Sequence, residues 1–261
     1  MKFFKKSLGQ NFLIDQNIIK KITSLVDIEN KNVLEIGPGS GALTAEILKK
    51  NPRSLIVVEK DKNLAIKLKS KFKNKINFRL YNDDILRIDL KKIVRKNLIV
   101  FGNLPYNISS QILVKFLKIK KSPPDFCDLI FMFQKELGDK IVAKFPSSDY
   151  GRLSILSTLK LEILKKFLVS RNCFFPKPKV TSIVIHFRPK ENITFKIKDV
   201  NNLEKVTNIL FSNKRKMINK SIKKILSQNK INQINGLDLK LRPSSIKPEI
   251  YYKITELFEI K

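Results

Sequence analysis

Short apolar runs alternate with amphipathic stretches through the first 190 residues of the chain. Runs rich in Val, Ile, Leu or Phe at 32–36, 54–59, 76–81, 98–102 and 128–133 are too short for helices and read as strands. Between them, 42–50, 62–72 and 109–118 carry helical spacing, and two later strands fall at 166–169 and 181–187. Alternation of this kind predicts a parallel sheet covered by helices on both faces. Beyond Pro189 the texture changes. No long strand is legible from Val200 onward, and helical spacing covers 202–211, 214–226, 232–237 and 247–258, the last two punctuated by Pro243 and Pro248. The pattern predicts an α/β domain over 1–190, opened by an N-terminal arm and helix over 1–31, and a small all-α domain over 191–261.

Charge changes the picture. There are 53 Lys and Arg against 23 Asp and Glu, a formal charge of +30, which points to a polyanionic partner. Heavy use of Lys, Ile and Asn across the chain accounts for part of the excess, but the basic residues also cluster. From Asn213 to Lys230 the chain holds Lys214, Arg215, Lys216, Lys220, Lys223, Lys224 and Lys230 and no acid. Spacings of three and four predict a basic helix with Met217, Ile218, Ile222, Ile225 and Leu226 on its packing side. A solvated face usually mixes signs, so this one reads as a surface for RNA phosphates.

Other chemistries drop out. Cys127, Cys173 and the single His186 cannot furnish a disulfide framework or a zinc ligand set, and no metal is expected. His186 sits in an alternating run and reads as a strand residue facing solvent or a packed surface. No apolar run approaches the ~18 residues of a membrane span. The N-terminus lacks the sustained apolar stretch of a signal peptide. A reduced, cytoplasmic, monomeric protein without membrane attachment is expected.

The first strand runs into Gly37-Pro38-Gly39-Ser40-Gly41 and then a helix. A glycine turn in that place lets a ligand approach the backbone with a helix N-terminus behind it. Glu59 closes the next strand, where a carboxylate can accept both hydroxyls of a ribose. Asp84, after the third strand, is placed to accept from an exocyclic adenine amine. Gly37-x-Gly39-x-x-Ala42 with Glu59 also satisfies the dinucleotide fingerprint, so the glycines alone do not choose between nicotinamide dinucleotide and S-adenosylmethionine. The full Glu-x-Gly-x-Gly-x-Gly reading, Asp84 and the fourth strand favour S-adenosylmethionine.

That fourth strand ends in Asn103-Leu104-Pro105-Tyr106. An adenine N6 amine is a poor nucleophile because its lone pair is delocalised into the ring. Acceptors holding both N–H bonds draw the nitrogen toward tetrahedral geometry. The Asn103 side-chain oxygen and the Leu104 carbonyl suit that task. Pro105 stiffens the turn, and Tyr106 offers a face for an extruded base.

Six segments in this order resemble the bacterial small-subunit ribosomal RNA adenine dimethyltransferases: Gly9-Gln10-Asn11-Phe12-Leu13, Glu35-Ile36-Gly37-Pro38-Gly39, Asn103-Leu104-Pro105-Tyr106-Asn107-Ile108-Ser109, Phe133-Gln134-Lys135-Glu136, Tyr150-Gly151-Arg152-Leu153-Ser154 and Phe174-Phe175-Pro176-Lys177-Pro178-Lys179-Val180. The resemblance spans nearly the whole chain. It implies a Rossmann-like, seven-stranded class I methyltransferase sheet with a helical C-terminal domain. It implies dimethylation of two adjacent adenosines near the 3′ end of 16S rRNA, in an immature 30S particle late in assembly. Cofactor contacts are implied at Asn11, Leu13, Gly37, Glu59, Asp84 and Asn103, with Gly39 in the same turn. Phe174 matches an aromatic that sandwiches the target base opposite Tyr106; the alternative reading is a core aromatic beside a proline turn. The large-subunit rRNA methylases of macrolide resistance share this chemistry and are the nearest rival. A non-catalytic ribosome-assembly factor on the same fold is the rival from another class.

Overall fold

Strands that are apolar on successive positions belong in the middle of a sheet. The computed structural model, which describes residues 11–93, 96–120 and 124–260, places them there. The elements run β1 (Phe12–Leu13), α1 (Gln16–Thr23), β2 (Asn32–Ile36), α2 (Ala42–Lys49), β3 (Ser54–Val58), α3 (Lys62–Lys71), β4 (Phe78–Tyr81), α4 (Leu90–Ile93), β5 (Leu98–Asn103), α5 (Ser109–Leu117) and β6 (Phe126–Gln134). They continue as α6 (Lys135–Val142), α7 (Arg152–Lys160), β7 (Leu161–Val169), β8 (Phe174–Phe175), β9 (Ser182–Pro189), α8 (Val200–Phe211), α9 (Asn219–Ile222), α10 (Gln228–Asn232) and α11 (Pro248–Glu259).

Seven strands form one sheet in the order β4-β3-β2-β5-β6-β9-β7. The first five are parallel, and β9 returns antiparallel to β6 with Phe131 opposite Ile185. The sheet is therefore mixed at one side rather than parallel throughout. Val33, Leu55, Val57, Leu98 and Phe101 are fully buried, and each such side chain contributes roughly 1.5–3 kcal/mol. Helix starts follow local chemistry. Asp15 accepts from the Ile18 N–H at 2.9 Å, and Asp61 from the Asn63 N–H at 2.8 Å.

The chain divides into two compact units. One gathers residues up to Leu113 with Pro123–Gly138 and Ile163–Pro189; the other gathers Val114–Ser122, Asp139–Glu162 and Lys190–Lys261. In the second unit Tyr251 is fully buried and stacks on Phe211 at 5.6 Å. There too Tyr150 donates to the Ile246 carbonyl at 2.9 Å.

Two helical expectations change. The basic stretch 214–226 is not one helix. Residues 212–215 form turns, α9 spans only Asn219–Ile222, and the Ile218 N–H bonds the Leu241 carbonyl at 3.0 Å instead of a preceding turn. Lys216, Lys220 and Lys224 at four-residue spacing repel one another with no acid between them, which disfavours a continuous helix. The apolar anchors Ile218, Ile222 and Leu226 remain buried, whereas Met217 is exposed. Helix 232–237 is replaced by α10, which ends where that helix was expected to begin. Of the two surroundings read for His186, solvent or a packed surface, the structure has the packed one: its Nε2 lies 2.6 Å from Asp128 Oδ1, both groups buried.

Gly138 in α6 has a packing role. A Cβ added there would lie 2.2 Å from Ile183 Cγ2, on the buried face of β9. Alanine gains about 1 kcal/mol of helix propensity, but overpacking costs typically 1–3 kcal/mol. Gly138→Ala is therefore expected to lower the urea midpoint; a raised midpoint would show that the helix shifts freely.

Candidate active site

A cleft opens at the carboxyl ends of β2, β3, β4 and β5, where open α/β sheets bind ligands. Asn11, Leu13, Gly37, Gly39, Glu59, Asp84, Asn103, Leu104, Pro105 and Tyr106 all line it. They come from several separate stretches of sequence. Gly9 and Gln10 of the N-terminal motif lie outside the described residues.

The glycine turn has the backbone its sequence demands. Gly37 and Gly39 have φ of +66° and +57°, the left-handed region where side chains are strained. The turn is tied by the Gly37 N–H to the Val58 carbonyl at 2.9 Å and the Gly41 N–H to the Pro38 carbonyl at 2.8 Å. α2 starts directly behind it with no side-chain cap, so its positive end is left toward the turn. A Cβ on Gly39 would lie 2.6 Å from the Phe12 ring. The arm is thus pressed against the turn, held there by the antiparallel pairing of Leu13 with Phe174.

Two glutamates behave differently. Glu59 is buried, with Oε2 accepting the Gly39 N–H at 3.1 Å and Oε1 the Asp61 N–H at 2.8 Å. Burial raises its pKa above the ordinary value, opposed by those N–H donors. Each carboxylate oxygen keeps a further lone pair for a hydroxyl. Glu35 accepts from Thr44 Oγ1 at 2.7 Å, and burial pushes it up to about 8. Burial thus works against a second negative charge beside Glu59. Asp84 takes a salt bridge from Lys60 at 2.8 Å and the Leu86 N–H at 2.9 Å. Burial alone would raise the Asp84 carboxyl; the Lys60 bond and charge and the Leu86 N–H outweigh it and hold the group low.

At the end of β5, Asn103 Nδ2 donates to the Asn11 carbonyl at 3.0 Å. With its nitrogen engaged by the arm, Oδ1 is left as the acceptor of the amide. The following loop is fixed by the Ile108 N–H on the Pro105 carbonyl, 3.1 Å, and Ser109 Oγ on the Tyr106 carbonyl, 3.1 Å. Tyr106 shares a hydrogen bond with Ser182 Oγ at 2.7 Å, which holds the half-buried ring in one orientation.

Phe174 stands apart from this group. It is 3% exposed, belongs to the core that contains Leu13 and Val184, and does not line the cleft. A base reaches its ring only if that packing changes. The exposed neighbour is Phe175, at 57%. Lys214, Arg215, Lys216, Lys220 and Lys223 lie in the second unit, and all are exposed.

Sequence reasoning missed Phe12, Lys60 and Ser182. Lys60 directly follows Glu59, but nothing in the sequence signals its pairing with Asp84. Ser182 reaches Tyr106 from the last strand in chain order, and no local pattern marks it.

The ribosomal RNA adenine dimethylase family profile matches residues 1–259. Ribosomal RNA small subunit methyltransferase A of Pelagibacter ubique is 50% identical over 256 residues, covering 98% of this chain and 97% of that one. Among solved structures, a dimethyladenosine transferase from Plasmodium falciparum superposes with a TM-score of 0.78 at 24% identity, covering 93% of this chain and 95% of that chain. The 23S rRNA methyltransferase ErmE superposes at 0.69 and 23%, covering 95% of this chain and 100% of that one. These two structures share the fold.

Proposed function

Because the chain belongs to the ribosomal RNA adenine dimethylase family, we infer that it is an S-adenosylmethionine-dependent enzyme that dimethylates the N6 amines of two adjacent adenosines near the 3′ end of 16S rRNA. The observation that carries the reading is the Asn103 amide, oriented by the Asn11 carbonyl at 3.0 Å beside the glycine turn and Glu59. The substrate is the rRNA of an immature 30S particle, and the protein works as a cytoplasmic monomer. No helix among the described residues is long and apolar enough to cross a membrane.

The residues present suit the cofactor. Glu59 and Asp84 supply acceptors for a ribose and an adenine amine, and Gly37 brings backbone close to the ligand without a side chain between. Leu13 and Asn11 close the other side. When bound, S-adenosylmethionine supplies an electrophilic methyl group. The chain's own work is to present the amine. Asn103 Oδ1 and the Leu104 carbonyl accept its two N–H bonds, pulling the nitrogen lone pair out of conjugation. Tyr106, fixed by Ser182, stacks on the extruded base. Much of the barrier reduction is positioning, and no strong base is required because the alkylated amine is acidic. Phe174 joins the base only after leaving its core position.

The large-subunit rival has the same fold, which therefore does not separate the two. The 50% identical relative is named for the small subunit, and that favours the 16S reading. The direct test is labelled methyl transfer to immature small subunits, with primer-extension stops at two adjacent adenosines; transfer to large-subunit rRNA alone would overturn the reading.

The exposed Lys214, Arg215 and Lys216 are assigned to the RNA phosphates. Replacing all three by Glu is expected to weaken binding to immature subunits strongly. The salt slope should become shallower by roughly 1 for each phosphate no longer neutralised. S-adenosylmethionine affinity should not move. Parallel slopes at equal affinity would return these residues to a solvated surface.

A further inference from the structure

The second unit holds a cavity of about 470 Å³ that the cleft chemistry does not use. Its walls come from the stretch after α6, from α7, from the stretch before α8 and from the start of α11. Four aromatic rings line it. Phe145 meets Tyr150 edge-on at 5.3 Å, and Phe195 lies tilted on Tyr252 at 4.9 Å. Both tyrosine hydroxyls are committed inside the protein, Tyr150 to the Ile246 carbonyl at 2.9 Å and Tyr252 to the Ile155 carbonyl at 2.8 Å. Both tyrosine rings are buried, so the carbon surface offered to the cavity is that of Phe145 and Phe195, each half-buried and backed by its tyrosine.

Charge supplies the other half. Lys144, Lys190 and Lys247 line the same cavity against one carboxylate, Glu249. Lys190 is held by the Thr158 carbonyl. Lys144 and Lys247 are exposed, and no hydrogen bond or ion pair engages either ammonium among the described residues. Aromatic faces beside uncommitted ammonium groups are what a base and its phosphate require. The cavity has no counterpart of the buried Glu59 carboxylate that suits a ribose. It is built for a base face and a phosphate, which tolerates sequence and suits a strand better than a free nucleotide.

We propose that this cavity binds one unpaired nucleotide of the rRNA substrate, with its base against the Phe195 and Phe145 rings and its phosphate at Lys144 and Lys247. The proposal rests on the rRNA reading given above, and it adds a nucleotide site within the second unit.

Binding to immature small subunits at several salt concentrations tests it, with wild type, Phe195→Leu and the double variant Lys144→Ala/Lys247→Ala. Phe195→Leu keeps apolar volume but removes the π face, and should weaken binding about tenfold at an unchanged salt slope. The double variant should weaken binding and flatten the slope by roughly 1–2. Its two sites are exposed, so its unfolding midpoint and S-adenosylmethionine affinity should match wild type. If the double variant binds like wild type while wild type methylates the particle normally, the cavity proposal falls and the rRNA reading stands. A wild type that neither binds nor methylates the particle overturns both. A uridine monophosphate titration forms a separate arm. Micromolar binding that Phe195→Leu abolishes, with particle binding unchanged, would assign the cavity to a free nucleotide and overturn the proposal.

Discussion

Asn103→Ala is expected to slow single-turnover methyl transfer by roughly thirtyfold to a thousandfold, or about 2–4 kcal/mol, the scale for losing one preorganised electrostatic partner. The amide acts twice. Oδ1 accepts from the target amine, and Nδ2 binds the Asn11 carbonyl at 3.0 Å. Alanine loses both. Asn103→Asp keeps acceptor oxygens but places a carboxylate against the Asn11 carbonyl, so it separates the two roles. We expect Asp to retain more transfer than Ala while loosening the arm, seen as faster proteolysis near residue 11. S-adenosylmethionine affinity should fall less than turnover in the alanine variant. Undiminished single-turnover transfer by Asn103→Ala would remove the amine-activation role.

Glu59→Ala should weaken S-adenosylmethionine binding by about 1–3 kcal/mol, the range for hydrogen bonds to a charged group. The loss has two sources. The ribose acceptor disappears, and the Gly39 and Asp61 N–H groups, at 3.1 and 2.8 Å, lose their partner. Glu59→Gln keeps an acceptor oxygen and should lie between. A pH effect follows from the raised Glu59 pKa, whose largest cause is burial. The ionised form is the better acceptor, so affinity should be full at high pH and fall as pH is lowered. The fall should set in above the range of an ordinary glutamate, and Glu59→Gln should flatten it. Calorimetry across pH reads both effects. Tight NADH binding with none for S-adenosylmethionine would overturn the cofactor assignment.

Much of this molecule is legible from local pattern. The apolar runs that became β2, β3 and β5 could be read because strands buried on both faces have no polar positions to alternate with. The glycine turn, the two spaced acids and Asn103 were equally readable, because each needs a residue type that few others replace. Continuity was less legible. The acid-free stretch from Asn213 to Lys230 has helical spacing, yet lysine repulsion and the Ile218 bond to Leu241 break it into turns. Periodicity records which side chains are apolar, not which backbone partner each N–H finds.

By itself the sequence determined the alternation of the parallel strands with their first crossover helices, the basic character and the set of groups able to activate an amine, all properties of residue type and short spacing. Only the tertiary structure decided how those groups are held. The Asn103 amide is oriented by a carbonyl 92 positions away in the chain, and Tyr106 by a serine 76 positions away. Phe174 goes into the core while Phe175 is exposed, because pairing with β1 sets which side of that short strand turns inward. Such partners are chosen by sheet order and packing, and no local spacing in the chain records them.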